Sequence, residues 1–291
     1  MYHRFPAESR SMLGRQLDHA RRHYIVKPLE EIVRALRDGH AVEPNWLAIT
    51  VDDGHRDFYD VAYPELKSRG LSATVFLTTG FLDGAWLWFD RVNWLFHNGR
   101  VNSAEVPMRD GSARFNLDTA EKRATAGGQV AESMVFMENA DRDRQIRELE
   151  RILGITTPET IVREYAPLRW NEVREMAAHG ISFGAHTVTH PTLSALTERV
   201  RIDEELRFSK ERVEEETNRE APVFCYPNGR DADITDAVVE SARQCGFQAA
   251  VQTEPGLNTR NTDLMRLRRM AADPAGYDER YFERVCAVMR A

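Results

Sequence analysis

Between Pro28 and Gly39, the apolar residues Leu29, Ile32, Val33 and Leu36 recur at helical spacing, and the Pro and Gly mark the two ends of a predicted helix. The pattern then changes. Residues 46–51 form a short, nearly continuous apolar run, which predicts a buried strand ending at Asp52 and Asp53. A helix ending near Gly70 and a strand over 73–78 follow. Later, a helix over 171–179, stopped by Gly180, leads into a strand over 181–185 that delivers His186 at its end. A long charged helix (198–218), a strand (223–226), a helix (233–245) closed by Gly246 and a strand (249–252) complete the alternation. Strands alternating with helices predict an α/β fold, in which the loops at the C-terminal strand ends are open for chemistry.

The stretch 81–167 interrupts this rhythm. Trp86, Trp88, Phe89, Trp94 and Phe96 cluster, residues 108–115 carry an Asp110-Gly111 hairpin signal, and charged helical sequence runs on to Leu153. It reads as a helical and hairpin insertion beside the active face of a single domain spanning 1–291. No internal repeat or low-complexity tract is present.

With 291 residues and 42% hydrophobic content, the chain can bury a sizeable core. Its formal charge of −7 argues against general affinity for nucleic acid or an anionic membrane, and favours neutral or partly cationic substrates. The chain opens on polar and basic residues and has no apolar run near ~20 residues. As written it is expected to be soluble and cytoplasmic, with export open if residues preceding Met1 are missing. Cys225, Cys245 and Cys286 are odd in number and lack paired metal spacing, so they read as reduced, mostly buried thiols.

The chemistry lies in two distant stretches, Ile49-Thr50-Val51-Asp52-Asp53-Gly54 and Gly184-Ala185-His186-Thr187-Val188-Thr189-His190-Pro191. Two imidazoles with three residues between them, set on one side of a helical turn, combine with one carboxylate into a divalent-cation ligand set. That set suits zinc, with cobalt, nickel or manganese as substitutes. Asp53 then ligates, and Asp52, left over beside a cation-bound water of pKa lowered toward ~7, takes its proton. His55 follows the acids directly, and turn position alone explains it; His19, His23, His40, His97 and His179 read as surface or capping groups.

Thr50-Val51-Asp52-Asp53-Gly54 resembles the Thr-Phe-Asp-Asp-Gly motif of the polysaccharide deacetylases (NodB-homology domain, carbohydrate esterase family 4). His186 to His190 resembles their His-Thr-x-x-His motif, and Phe224-Cys225-Tyr226-Pro227-Asn228-Gly229 is similar to their third motif. The resemblance also takes in Tyr63-Pro64-Glu65-Leu66 and the run from Gly70 to Leu77, and is weakest over 81–167. It implies a distorted (β/α) barrel of about seven βα units. It also implies that Asp52 is the catalytic base, that Asp53, His186 and His190 are metal ligands, and that the backbone N–H of Asn228 is an oxyanion donor.

Two departures from the family pattern bear on mechanism. The family's acid is often a His near the C-terminus, but His190 is the last His here. The opening Met1-Tyr2-His3-Arg4-Phe5 resembles the Tyr-His motif of a subgroup whose catalytic His has moved to the N-terminus, which implies His3 as general acid; the alternative is a frayed surface His. Cys225 stands where many relatives have an Arg paired with the catalytic Asp. Leu267-Arg268-Arg269-Met270 resembles the subgroup's Leu-Pro-Arg-Ile segment, so Arg269 is implied to hold Asp52 ionised, the alternative being a solvated charge on an exposed strand. The Trp-containing fourth motif is not evident.

These features imply a metal-dependent hydrolase that removes N-acetyl groups from a polysaccharide or glycoconjugate. The alternatives are an amidohydrolase acting on a non-carbohydrate or cyclic amide, and a catalytically dead saccharide-binding module. For the Trp cluster, core packing of an inserted helix and the lining of a saccharide groove both stay open.

Overall fold

The structure, a computed structural model, describes residues 1–274 apart from 41 and 44. Cys286 and the last part of the expected domain, 275–291, lie outside the described residues. In chain order come α1 (Arg10–His23), β1 (Ile25–Val26), α2 (Leu29–Arg37), β2 (Trp46–Leu47), β3 (Thr50–Val51), α3 (Tyr63–Arg69), β4 (Thr74–Leu77) and the short α4 (Thr79–Leu82). Helix α2 is the one expected between Pro28 and Gly39, and it buries Leu29 and Val33. The strand expected over 46–51 is instead two strands. β2 pairs with β1 in a separate parallel ribbon, and β3 pairs with β4 in the main sheet. A continuous apolar run cannot reveal this break, because both halves contact apolar neighbours and periodicity is silent on which partner each takes.

The insertion comprises α5 (Trp88–Asn98), the antiparallel hairpin β5 (Ser103–Met108) and β6 (Gly111–Asn116), α6 (Ala120–Met134) and α7 (Asn139–Leu153). The Asp110-Gly111 turn falls where the sequence puts it, with Gly111 at φ 117, a conformation that glycine alone adopts without strain. Val92, Leu95, Phe96, Val106, Val130 and Leu149 bury against one another in a cluster distinct from those of the barrel. Trp88, Phe89, Trp94 and Phe96 pack in this cluster, while Trp86 contacts Trp94 and Tyr165 and its indole N–H donates to the Pro158 carbonyl at 2.9 Å. Trp88 and Phe89 also line the site described below.

After the insertion come α8 (Trp170–Ala178), β7 (Ser182–Ala185), α9 (Arg199–Thr217), β8 (Val223–Cys225), α10 (Asp236–Gln244) and β9 (Ala249–Val251). The main sheet is parallel, in the order β3-β4-β7-β8-β9. Single bridges add a lane at each edge, Tyr2 beside Val51 and Leu267 beside Val251. Main-chain bonds then tie these outer lanes: Met1 donates to Met270 at 2.6 Å and Ala272 to Met1 at 2.8 Å. The result is a curled sheet, a distorted (β/α) barrel in agreement with the expected fold. At its centre β7 requires Gly184, since a Cβ there would sit 2.6 Å from the Phe76 ring and 2.7 Å from the Val223 carbonyl.

Cys225 is buried and Cys245 is half-buried, and both are free thiols. Among the described residues no helix is long and apolar enough to cross a membrane.

Candidate metal and catalytic centre

β3 ends at Val51, so Asp52 and Asp53 leave the sheet at its C-terminal edge. Asp53 adopts φ 73 and Gly54 φ 93. A left-handed non-glycine residue costs on the order of 1–3 kcal/mol and persists only where its surroundings hold it. Here the barrel's own main chain does so. Asp52 N–H donates to Tyr2 (3.0 Å), Thr78 N–H to Asp53 (3.2 Å) and Leu168 N–H to Gly54 (2.8 Å). The turn aims the two adjacent carboxylates at different partners.

Asp52 faces Arg269. The guanidinium donates to both carboxylate oxygens, at 2.7 and 2.8 Å, and both residues are buried. Arg269 also donates from Nε to the Gln252 carbonyl (2.9 Å) and from Nη2 to Cys225 Sγ (3.2 Å). The alternative of a solvated surface charge is therefore overturned: the 267–269 lane lies against β9, which turns Arg269 into the barrel. Cys225 is a neutral neighbour of this ion pair, and burial raises its thiol. Burial also pushes the Asp52 carboxyl up, but the Arg269 guanidinium, assisted by His3, outweighs it and holds the group well below the usual carboxylate range. His3 Nε2 stands 3.6 Å from Asp52 Oδ2 with its side chain 47% exposed. The flanking residues fix its place: Tyr2 is buried in the edge lane, and Arg4 donates to Asp57 at 2.7 Å.

β7 ends at Ala185 and hands His186 to the same pocket. The helical turn expected across His186 and His190 is not formed. The segment is an irregular loop with Thr187 at φ 65 and His190 at φ 56. Its N–H groups find side chains in place of helical carbonyls: Val188 and Thr189 both donate to Glu205 of α9, at 2.7 and 2.9 Å, and His190 donates to Thr187 Oγ1 at 3.0 Å. Its carbonyls accept from Thr79 (3.1 Å) and Gly80 (2.9 Å), and a Cβ on Gly80 would sit 2.6 Å from the Val188 oxygen. The Trp88 indole donates to the His190 carbonyl at 3.0 Å.

These two loops bring three donor atoms together. His186 Nε2 lies 3.6 Å and His190 Nε2 3.5 Å from Asp53 Oδ1. His186 Nδ1 is 2.7 Å from the Cys225 carbonyl, an acceptor only, so Nδ1 carries a proton and Nε2 is the nitrogen left to face Asp53 and a cation. Asp53 Oδ1 is buried without a hydrogen-bond partner, which is costly unless something else satisfies it. Ligand atoms about 2.1 Å from a tetrahedral cation stand about 3.4 Å from one another. The observed spacings match that edge and exceed hydrogen-bond length, so this donor set fits a divalent cation.

The electrostatics agree. Burial pushes Asp53 up, while His186 and His190 pull it well below the usual range. Burial and the neighbouring His186 push His190 down to about 3, leaving a neutral imidazole. For His186, burial is outweighed by Asp53, by the hydrogen bond with the Cys225 thiol and by Asp52, and its pKa is raised well above the ordinary value. The pocket draws positive charge.

Asn228 follows Pro227 at the end of β8 with φ 61. Its side chain donates to Thr192 Oγ1 and its carbonyl accepts from Thr253 Oγ1, both at 2.7 Å, while its backbone N–H has no hydrogen-bond partner among the described residues. Asn228, His3, both acids and both ligand imidazoles line one cleft of ≈ 260 Å³, whose opposite wall is built by Trp88, Phe89, Ala131 and Glu132 of the insertion. All seven expected site residues thus belong to one constellation, with Arg269 behind Asp52.

Sequence reasoning passed over three supporting residues, His55, Asp90 and Glu205, and placed a fourth, Trp88, only in an aromatic cluster. His55 is buried, with Nε2 2.7 Å from Asp90 Oδ2 and Nδ1 3.9 Å from Asp53 Oδ2, so its place after the acids was the available signal. Asp90, Trp88 and Glu205 sit on helices far along the chain and carry no local motif.

A polysaccharide deacetylase family model matches residues 133–250, which include His186, His190 and Asn228. Over 103 residues the chain is 31% identical to YxkH of Bacillus subtilis (strain 168), which carries the polysaccharide deacetylase name; the match covers 35% of this chain, and the chain spans 36% of that relative's length. Among solved structures, the Streptococcus pyogenes deacetylase PplD in complex with acetate superposes with a TM-score of 0.63 at 21% identity, covering 100% of this chain and 96% of PplD. IcaB from Ammonifex degensii gives a TM-score of 0.63 at 18% identity, covering 100% of this chain and 95% of IcaB.

Proposed function

From the premise that this chain belongs to the polysaccharide deacetylases of the NodB type, we propose that it is a metal-dependent hydrolase removing N-acetyl groups from a saccharide polymer or glycoconjugate. One observation carries this reading: Asp53 converges with two imidazole nitrogens on a shared point, while the adjacent Asp52 is kept out of that set by Arg269. A buried ligand set with an ionised, non-ligating carboxylate beside it is what hydrolysis of an unactivated amide needs.

Asp53, His186 and His190 would hold the cation, zinc first among zinc, cobalt, nickel and manganese, and the bound ion supplies Lewis acidity toward a carbonyl and an acidified water. Asp52 accepts the proton of the attacking water; with Arg269 on both oxygens it is a carboxylate at any working pH. The carbonyl oxygen gains negative charge as the tetrahedral centre forms, and the uncommitted N–H of Asn228 donates to it. The C–N bond then breaks, and His3, at the open side of Asp52, gives a proton to the departing amine. In this reading the N-terminal Tyr2-His3 pair supplies the acid that many relatives place near the C-terminus. The products are acetate and a free sugar amine.

The test is a panel of acetylated oligosaccharides and small cyclic amides, with released acetate and ring-opened product measured separately. Acetate release that stops with a chelator and returns with zinc or cobalt is expected. Turnover undiminished in metal-free protein, or ring opening of the cyclic amides with no acetate released from the saccharides, defeats the proposal.

A further inference from the structure

We infer that Glu205 of α9 is a positioning residue that fixes the ligand pair His186 and His190 through the backbone between them; this rests on the cation-binding reading above. Glu205 is buried at 9% exposure. One carboxylate oxygen accepts the N–H groups of Val188 (2.7 Å) and Thr189 (2.9 Å), and the other accepts the Thr189 hydroxyl. Consecutive N–H groups form a concavity for an anion, and here the protein fills it with its own carboxylate. Hydrogen bonds to an ionised acceptor are among the strong ones.

The bonded residues lie between Thr187 and His190, the two residues with left-handed backbones. Such conformations relax unless their neighbours hold them. Glu205 holds the loop's donors from one side, while Thr79 and Gly80 hold its carbonyls from the other. His190 then has one place to present Nε2 relative to His186. No residue of α9 lines the cleft, so Glu205 meets neither substrate nor cation and acts only through the loop.

The experiment compares wild type, Glu205→Gln and Glu205→Ala by titrating each metal-free protein with Co(II), reading the cobalt d–d absorption and the dissociation constant against a chromophoric chelator. The Gln variant keeps one acceptor oxygen and loses the charge; the Ala variant loses every contact. A rise in dissociation constant of about 10–100-fold is expected for Ala and a smaller rise for Gln, with altered d–d bands in both. If Ala does not fold, the Gln variant alone decides. A purely structural role would lower the melting temperature of the metal-free protein and leave the cobalt spectrum and affinity of the folded variants at wild-type values, and that result overturns the inference. Wild type that binds no cobalt overturns the metal reading itself, and this is seen before any variant is measured.

Discussion

The two loops that meet at the cation site are built in opposite ways. The acid loop after β3 and the imidazole loop after β7 both depend on left-handed residues, Asp53 in one and Thr187 with His190 in the other. The acid loop is held by main chain of the barrel itself, with bonds to Tyr2, Thr78 and Leu168, and its catalytic side chain is served by the two outer lanes of the sheet through His3 and Arg269. The imidazole loop is held largely by side chains from outside the sheet: Glu205 of α9, Trp88 of α5, and Asn139 of α7, which donates to Thr189 Oγ1 at 2.8 Å. The difference teaches where each function is vulnerable. Main-chain bonds survive substitution, so the acid loop fails mainly at its reacting residues, whereas the imidazole loop can fail through residues that never touch the chemistry.

The sharpest break separates the two neighbouring acids. Asp52→Asn should lower amide hydrolysis by about 10²–10⁴-fold with metal affinity retained in calorimetry, because it removes the base and leaves the ligand set whole. Asp53→Asn should weaken metal binding itself. Equal metal loss in both variants would erase the division of labour drawn for this loop.

The contribution of the N-terminal chain end comes next. His3→Ala should cut turnover of sugar amides by about 10²-fold and leave activated aryl acetates nearly unaffected, since a good leaving group needs no proton. Equal losses on both substrates would remove His3 from the mechanism.

The opposite lane, with Arg269, is tested through stability. Arg269→Met strands a buried carboxylate and should cost about 3–5 kcal/mol at neutral pH, read from urea unfolding. The pH dependence has a definite sign. Wild-type Asp52 is held low by Arg269, so its contribution is complete above the unfolded carboxylate value of ~3.9 and is lost as pH falls toward the folded one. In the variant burial is opposed only by His3 and His186, so the group rises from its wild-type position and protonation relieves the penalty. The wild-type and variant stabilities should converge below about pH 4. Parallel curves from pH 7 to pH 3 would mean that the pair is not what holds Asp52 ionised.

Much of this centre was legible along the chain because the ligands and the base lie at strand ends, and a strand end is readable from a local apolar run and the polar residues that stop it. Asp52, Asp53, His186 and His190 were found this way, and the resemblance added Asn228, His3 and Arg269. The shape of the His186–His190 segment was misread: the three-residue spacing suits a helical turn, but Glu205, Thr79 and Gly80 offer its backbone better partners than a helix would. His55 was set aside for a related reason, as its significance comes from Asp90, 35 residues away on α5.

The order of strands and helices, the hairpin of the insertion and the identity of the reacting groups were written into the sequence, since each depends on neighbours a few residues apart. Tertiary structure alone decided that Arg269 meets Asp52 across 217 residues, that Trp88 of the aromatic cluster also holds the His190 carbonyl, and that a glutamate in a charged helix grips the imidazole loop. A charge or a ring has the same local pattern whether it faces water or a buried partner. Only the closed barrel, which brings distant strand ends within hydrogen-bond reach, determines which of the two it does.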